Sequence, residues 1–356
     1  MNKTSFFQSL LTNQQAKEHY LLKLKIISLI RQFFTEKGLL EVEAPILNDT
    51  LIPESYLDVF ETEERRVGLE GKIASKKYLM TSPESFQKKL LSVGFGSNFA
   101  LTRSFRNGEP LSGKHLSEFS MLEWYEKGSN YLDVMNTTEQ LFSFIVRNLD
   151  KADERITYNG IEINLAGPWQ RSSVNELFKE YLSIDLEESW GQEARGFSVK
   201  QFAQMLQNRP ELHIKVERST TWEKLFNQLF LTYIETRLPT NKPVIIYDYP
   251  HELSPLAKPK SGVVAQGNVW AERFEVMIGG LEICDTYTEN TDSKLQRETF
   301  NREIEKIEQG GAKTKYAYDW EFVEALEHGL PACSGNALGI DRVVMLFGNY
   351  PEILTI

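Results

Sequence analysis

The sequence predicts an α+β fold, an antiparallel sheet flanked by helices gathered in separate blocks. Three observations predict it. Period-two strands follow one another with turn residues between them. Long helical patterns stand apart from those strands instead of alternating with them. No glycine-rich phosphate loop occurs in a βαβ setting, which removes the two common parallel-sheet nucleotide folds.

The elements follow in order. Residues 15–37 predict a helix, with Ile27, Ile30 and Phe34 at helical spacing and Gly38 as its stop. GLLEVEAPIL predicts a short edge strand closed by Pro45. Residues 51–77 read as charged and irregular. SPESFQKKLLSVGFG opens like a capped helix, with Ser82 ahead of Pro83 and Glu84. Residues 97–106 and 118–127 predict two strands around a polar loop. On the second, alternation places Phe119, Met121, Glu123 and Tyr125 on one face, and Ser120, Leu122 and Trp124 on the other. A face with a carboxylate, a phenol and an aromatic plate is suited to binding.

Residues 131–149 predict an amphipathic helix, and ITYNGIEINL a hairpin turning at Asn159-Gly160. The pattern over 172–238 is mainly helical, and 242–250 is a buried-type strand. RFEVMIGGLEIC predicts a hairpin with Gly279-Gly280 at its tip, so that Met277 faces Glu282 and Glu275 faces Cys284. Glu275 and Glu282 then share a face roughly 7–8 Å apart, close enough to hold one metal ion. Residues 293–309 predict a charged helix. SGNALGIDRVVMLFGN predicts a strand running into a helix with Arg342 in its first turn.

Composition narrows the function. The 356 residues carry 40 Lys plus Arg against 50 Asp plus Glu, a formal charge of −10. That balance disfavours a general nucleic-acid binder, which needs a cationic face. Cys284 and Cys333 lack metal-site spacing and are too few for a disulfide framework, so they read as packing residues in a cytoplasmic protein. No apolar run is long enough for a membrane helix. Lys76, Lys77, Lys88 and Lys89 read as a solvated basic face.

FRNGEPLSGKHLSEFSMLEWY resembles motif 2 of the class II aminoacyl-tRNA synthetases, and GNALGIDRVVML resembles their motif 3. The helix and strand ending at Pro45 resemble motif 1. MTSPESFQKKLL, YPHELSPLAK, ERFEVMIGGLEI and EALEHGLP resemble the lysine branch. The resemblance implies a class II synthetase-like catalytic domain over 21–356, with a mainly helical insert at about 130–240 and an N-terminal extension over 1–20. Within that branch the chain is similar to the short paralogues that lysylate elongation factor P. Few residues precede motif 1, too few for an anticodon-reading domain. Ala337 also stands where the tRNA synthetases usually carry Gly.

The resemblance implies amino-acid activation as an adenylate, and then transfer to a lysine of a protein such as elongation factor P instead of tRNA. Arg106 would grip the α-phosphate and the substrate carboxylate, and Arg342 the γ-phosphate. Asn107, Glu109 and His115 would join them around ATP, with Phe119 stacked on adenine. Glu275 and Glu282 would hold Mg²⁺. Ser82, Glu84, Glu123, Tyr125, Glu289 and Ala337 would form the pocket for lysine or β-lysine. Asp285-Thr286 departs from the branch, which has Asn-Gly there. An anion at 285 should repel the substrate carboxylate unless a cation intervenes. A ligase for another amino acid or a small-molecule acceptor, and a non-catalytic amino-acid or ATP sensor, remain as alternatives. Motif 1 implies a homodimer.

Overall fold

The computed structural model describes residues 6–68, 75–110, 112–149, 153–191, 196–217, 220–260, 270–310 and 314–353. Its centre is an eight-stranded sheet. In chain order the strands are β1 (Leu40–Glu41), β2 (Asn98–Phe105), β3 (Glu118–Lys127) and β4 (Gln170–Ser173). They continue with β5 (Val244–Pro250), β6 (Trp270–Ile278), β7 (Leu281–Thr288) and β8 (Cys333–Gly339). The order across the sheet is β1-β2-β3-β8-β7-β6-β5-β4. Every pair is antiparallel except the two edges, where β1 joins β2 and β4 joins β5 in parallel. The predicted α+β class is what the chain adopts.

One face of the sheet is apolar and covered by helices. Leu122 and Trp124 of β3, Phe274 and Val276 of β6, and Leu338 of β8 are buried there. Helix Gln14–Glu36 packs on this face with Tyr131–Asn148 and Ile340–Gly348. Asn13 starts the first of these helices, accepting from the backbone N–H of Gln15 at 2.9 Å. Its ring Phe34 sits 4.9 Å from Trp124 and 5.3 Å from Phe99. Asn130 and Asp133 form a reciprocal cap on Tyr131–Asn148.

The opposite face is shared. Val244, Ile246, Trp270 and Met277 pack under the helices Val174–Leu182, Val199–Gln207 and Trp222–Leu229, in a second core rich in aromatic rings. The helical insert is therefore shorter than the expected 130–240. Helix Tyr131–Asn148 belongs to the main core, and β4 belongs to the main sheet. Of the expected extension, residues 1–5 lie outside the described residues, while Phe6–Thr12 forms a short helix.

Two hairpins turn where expected. Asn159 and Gly160 both take positive φ (49° and 76°), as do Gly279 and Gly280 (60° and 74°), the twist-matched geometry for two-residue loops. Two expectations are corrected. Residues 51–77 are not all irregular, because Leu47–Asn48, Ser75–Leu79 and Glu61–Glu64 form a small three-stranded sheet. Glu275 opposes Asp285, not Cys284, because the β6–β7 register slips between Val276 and Met277. Met277 does oppose Glu282.

The Phe34 ring joins the first helix to the sheet, so Phe34→Ala should cost about 3–5 kcal/mol of stability. Denaturant unfolding monitored by tryptophan fluorescence measures this, and a loss below about 1 kcal/mol would mean the helix is not anchored through this ring.

Candidate active site

The polar half of the sheet's second face is the floor of a cavity of about 700 Å³. A row of directly paired residues crosses it. Glu275 on β6 opposes Asp285 on β7, Asp285 opposes Ala337 on β8, and Ala337 opposes Glu123 on β3. Paired residues in antiparallel strands share a face, so all four point into the cavity. Three inter-strand steps separate Glu123 from Glu275, about 14 Å. Carboxylates thus stand at both ends of the floor, with Ala337 between them.

At the Glu123 end the site is closed and acidic. Glu123 is 2% exposed. Its Oε1 accepts from Ser82 Oγ at 2.5 Å and its Oε2 from the Tyr125 hydroxyl at 3.3 Å. Glu84 opens helix Glu84–Ser92 and accepts from the Tyr287 hydroxyl and from the Lys88 ammonium. Lys88 also pairs with Glu289. Its ammonium lies 5.2 Å from the Tyr287 ring centroid and 5.4 Å from that of Phe322. Lys88 is therefore not a solvated surface residue: it is 2% exposed, between two carboxylates.

Three carboxylates thus face one ammonium. Burial, and next the Glu84 charge, push the Glu123 carboxyl up to about 8. Burial pushes Glu289 up to about 8 as well, against the pull of Lys88. Burial opposes the charge on Lys88, but Glu289 and Glu84 outweigh it and hold its pKa above the ordinary value. The pocket's own residues leave it short of positive charge.

At the other end the floor meets β6 and β7. Arg273 and Glu275 alternate along β6, so both rise from one face. Tyr249 donates its hydroxyl to Glu275 Oε2 at 2.7 Å. Burial raises the Glu275 carboxyl to about 8, Arg273 opposes the rise, and Glu282 and Asp285 add to it. A hard divalent cation between Glu275 and Glu282 would reverse that rise. Among the described residues no three His, Cys, Asp or Glu converge on a metal-sized space. Such a cation would draw its remaining ligands from phosphate oxygens and water, the usual habit of Mg²⁺.

Two arginines overlook the floor. Arg106, just after β2, has a buried Nε without a protein partner, and its guanidinium lies 5.3 Å from the Phe119 ring centroid. An orphan planar donor over an aromatic plate is suited to an anion. Arg342 sits in the first turn of Ile340–Gly348 and donates to the Glu282 carbonyl at 2.7 Å. It also meets His115 Nε2 at 3.0 Å. Arginine only donates, so that nitrogen accepts and the ring proton is on Nδ1, which donates to Ser112 Oγ at 2.7 Å. Burial and next the Arg342 charge lower the His115 pKa, keeping the ring neutral.

Most of the expected site residues line this one cavity, including Glu84, Glu109, His115, Phe119, Asp285 and Ala337. Two do not. Asn107 is turned away, because its side-chain oxygen accepts from Gly108 N–H at 2.9 Å and its backbone bridges Asp58. Glu289 does not line the cavity; it is buried and pairs with the Lys88 ammonium.

A family model described as "tRNA synthetases class II (D, K and N)" matches residues 4–356. The chain belongs to the class II tRNA synthetases. It is 32% identical to the lysine–tRNA ligase of Clostridium acetobutylicum and 33% identical to that of Pelotomaculum thermopropionicum, each over 98% of this chain. A third such ligase, from Carboxydothermus hydrogenoformans, is 31% identical over the same share. The chain spans 63%, 64% and 66% of the length of these three relatives. Its core is that of the lysine branch.

The residues that sequence reasoning misses are those that answer the charge of the synthetase-like floor. Lys88 stands four residues after Glu84 on a helix, and Arg273 two before Glu275 on a strand, so both spacings carry a signal. The insert adds Phe226, Phe230, Leu231 and Glu235 to the cavity wall, which no local motif marks.

The raised carboxyls have a thermodynamic consequence. Glu123 and Glu289 ordinarily titrate at 4.5, and in the fold they titrate near 8. Across that window the folded chain holds protons that the unfolded chain has released, so stability falls as pH climbs from 4.5 toward 8. The Tm of the ligand-free protein should drop over this range, and Glu123→Gln should flatten the drop. A variant with the wild-type slope would show that Glu123 is not a source of it.

Proposed function

We propose that the chain is an ATP- and Mg²⁺-dependent ligase that activates lysine or a lysine-like amino acid as its adenylate. It then passes the aminoacyl group to a lysine side chain of a protein acceptor resembling elongation factor P. The observation that carries the first half is the floor itself. Carboxylates able to take ammonium groups stand at one end and carboxylates able to take Mg²⁺ at the other, with Arg106 and Arg342 above. An extended diamino acid joined to a nucleotide's phosphates matches that layout.

The reaction needs no activated nucleophile, because an amino-acid carboxylate already is one. Positioning and charge neutralisation do the catalysis. Arg106 would hold the substrate carboxylate against the α-phosphate with its fork, and Phe119 beneath it would take the adenine. Arg342, tied to neutral His115, would meet the distal phosphates. Glu275 and Glu282 would hold Mg²⁺, which neutralises phosphate charge when bound. Ser82, Glu84, Glu123 and Tyr125 would take the amino groups.

Two observations favour a protein acceptor over tRNA. The cavity lining also carries Glu54, Glu223, Glu252 and Glu303, of which Glu223 and Glu303 pair with Lys306, and this acidic excess suits a cationic side chain better than a polyanion. The Ala337 methyl, which the resemblance to the protein-modifying paralogues singles out, lies on the floor. A homodimer is expected from the motif 1 resemblance, with helix Gln14–Glu36 presenting exposed Leu21 and Leu24.

Pyrophosphate exchange, run with each amino acid and with β-lysine, tests the activity. Lysine or β-lysine should stimulate exchange, and Arg106→Ala should lower kcat/KM by about 10²–10³-fold. If no amino acid stimulates exchange, the ligase reading fails and the sensor reading replaces it. Transfer of labelled aminoacyl group to elongation factor P versus tRNA decides the acceptor. In gel filtration the chain should elute at twice 41.1 kDa, and a monomer peak would count against the dimer.

A further inference from the structure

We propose that the carboxyl cluster at the Glu123 end gives up a proton to solvent as the amino acid binds, so that an ammonium group of the substrate takes the place of a carboxyl proton on Glu123. The proposal rests on the amino-acid reading above and adds to it a proton coupling of the binding step.

The arrangement of the cluster sets its charge. Glu84, Glu123 and Glu289 are all buried, and Lys88 pairs with Glu84 and Glu289. The Lys88 ammonium and the Tyr287 hydroxyl reach the same Glu84 oxygen, Oε1. Among the described residues no cation pairs with Glu123, whose partners are the hydroxyls of Ser82 and Tyr125. Three buried carboxylates with one ammonium among them do not all ionise, because like charges in a dry site disfavour one another. Burial and then the Glu84 charge keep the Glu123 carboxyl protonated at pH 7, against the Ser82 hydrogen bond, Lys88 and Arg106. The Tyr125 and Tyr287 hydroxyls and the Cys333 thiol face the cluster from β3, β7 and β8. Burial pushes all three up, so they stay protonated and take no part in the exchange.

Ser82 is built to serve both protonation states. Its Oγ accepts the Glu84 N–H at 3.1 Å and lies 2.5 Å from Glu123 Oε1. A hydroxyl has one hydrogen and two lone pairs. Its second lone pair receives the O–H of a protonated Glu123, and its own hydrogen is donated to an ionised one. The same contact therefore holds Glu123 before and after binding without moving a heavy atom. Glu84 and Glu123 line the cavity, which reaches solvent at exposed Leu231. An ammonium set against Glu123 favours the ionised carboxylate. The carboxyl proton passes to solvent, the substrate keeps its own ammonium protons, and Ser82 turns its hydrogen onto the carboxylate. The pocket thus folds without three unpaired charges and acquires its ion pair only with a cationic ligand. By linkage, affinity for the amino acid rises with pH wherever the protein alone holds a proton that the complex has lost, which is up to about pH 8.

Calorimetric titration of the full chain with lysine and with β-lysine, at one pH in two buffers of different ionisation enthalpy, counts the protons released. At pH 7 roughly one proton should leave per amino acid bound, and the association constant should rise nearly tenfold from pH 6 to pH 7. Binding with no proton release and no pH dependence overturns the proposal while leaving the amino-acid reading intact. If neither amino acid binds, the amino-acid reading falls and this proposal with it. Infrared difference spectra locate the proton. Lysine added to the wild type at pH 7 should remove a C=O band of a protonated carboxyl, and Glu123→Gln should lack that band without ligand. Identical carboxyl bands in the wild type and a folded Glu123→Gln overturn the assignment to Glu123. Thermal melting shows whether that variant folds; if it does not, the proton count and pH profile of the wild type decide.

Discussion

A buried aspartate holds both ends of the chain to the middle of the sheet. Asp341 Oδ1 meets the Lys23 ammonium of the first long helix at 2.5 Å, and its Oδ2 accepts the Ser120 amide of β3 at 2.7 Å. The segments resembling motifs 1, 2 and 3 meet at this one carboxylate. Arg342 is its neighbour in the chain, so the placement of that guanidinium over Glu282 and His115 is set by the same contact. Breaking a buried pair of this kind by removing one partner typically costs about 3–5 kcal/mol. Here the loss would also free the helix that aims Arg342, which couples the stability of the fold to the geometry of the site.

The same constraint recurs across the floor. A carboxylate taken out of water needs a cation or donors nearby, or it keeps its proton. Lys88 answers Glu84 and Glu289, and Arg273 answers Glu275 and Asp285. Neither cation answers fully. One ammonium faces three carboxylates at the Glu123 end, and one guanidinium faces two at the other, with Glu282 close by. Carboxyl groups that ionise once a cation arrives are what each end has to offer a ligand, while Arg106 keeps an unsatisfied donor for an anion above. The protein stabilises enough charge to fold and leaves enough for binding.

Legibility in the sequence tracks the range of each signal. Period-two alternation along 118–127 puts Phe119, Glu123 and Tyr125 in the cavity and Leu122 and Trp124 in the core, because a strand's facing is a local property. Asn-Gly and Gly-Gly mark their turns for the same reason. The slip between Val276 and Met277 leaves no local trace, since a bulge is decided by the partner strand, and the opposition of Glu275 to Asp285 is hidden with it. Lys88 reads as a surface residue because lysine is almost never buried unpaired, although Glu84 stands one helical turn away. Asn107 is marked by a motif, and its turning away depends on Asp58, a residue distant in sequence.

The insert shows why the site cannot be reduced to its motifs. Its core is not its own: Val244, Ile246, Trp270 and Met277 of the sheet pack among Phe226, Phe230 and Trp222. Next to this shared core the helix Trp222–Leu229 widens into a π-turn over Phe230–Ile234. A π-turn inserts an extra residue and rotates the side chains beyond it about the helix axis. Phe230 is buried against Tyr249 while the adjacent Leu231 is exposed, and both line the cavity. Tyr249 is the residue that holds Glu275 Oε2. The packing of the insert therefore bears on Glu275 through Tyr249 and through the sheet strands that carry it, and a change in its aromatic stack would reach Glu275 without touching any residue that the motifs name.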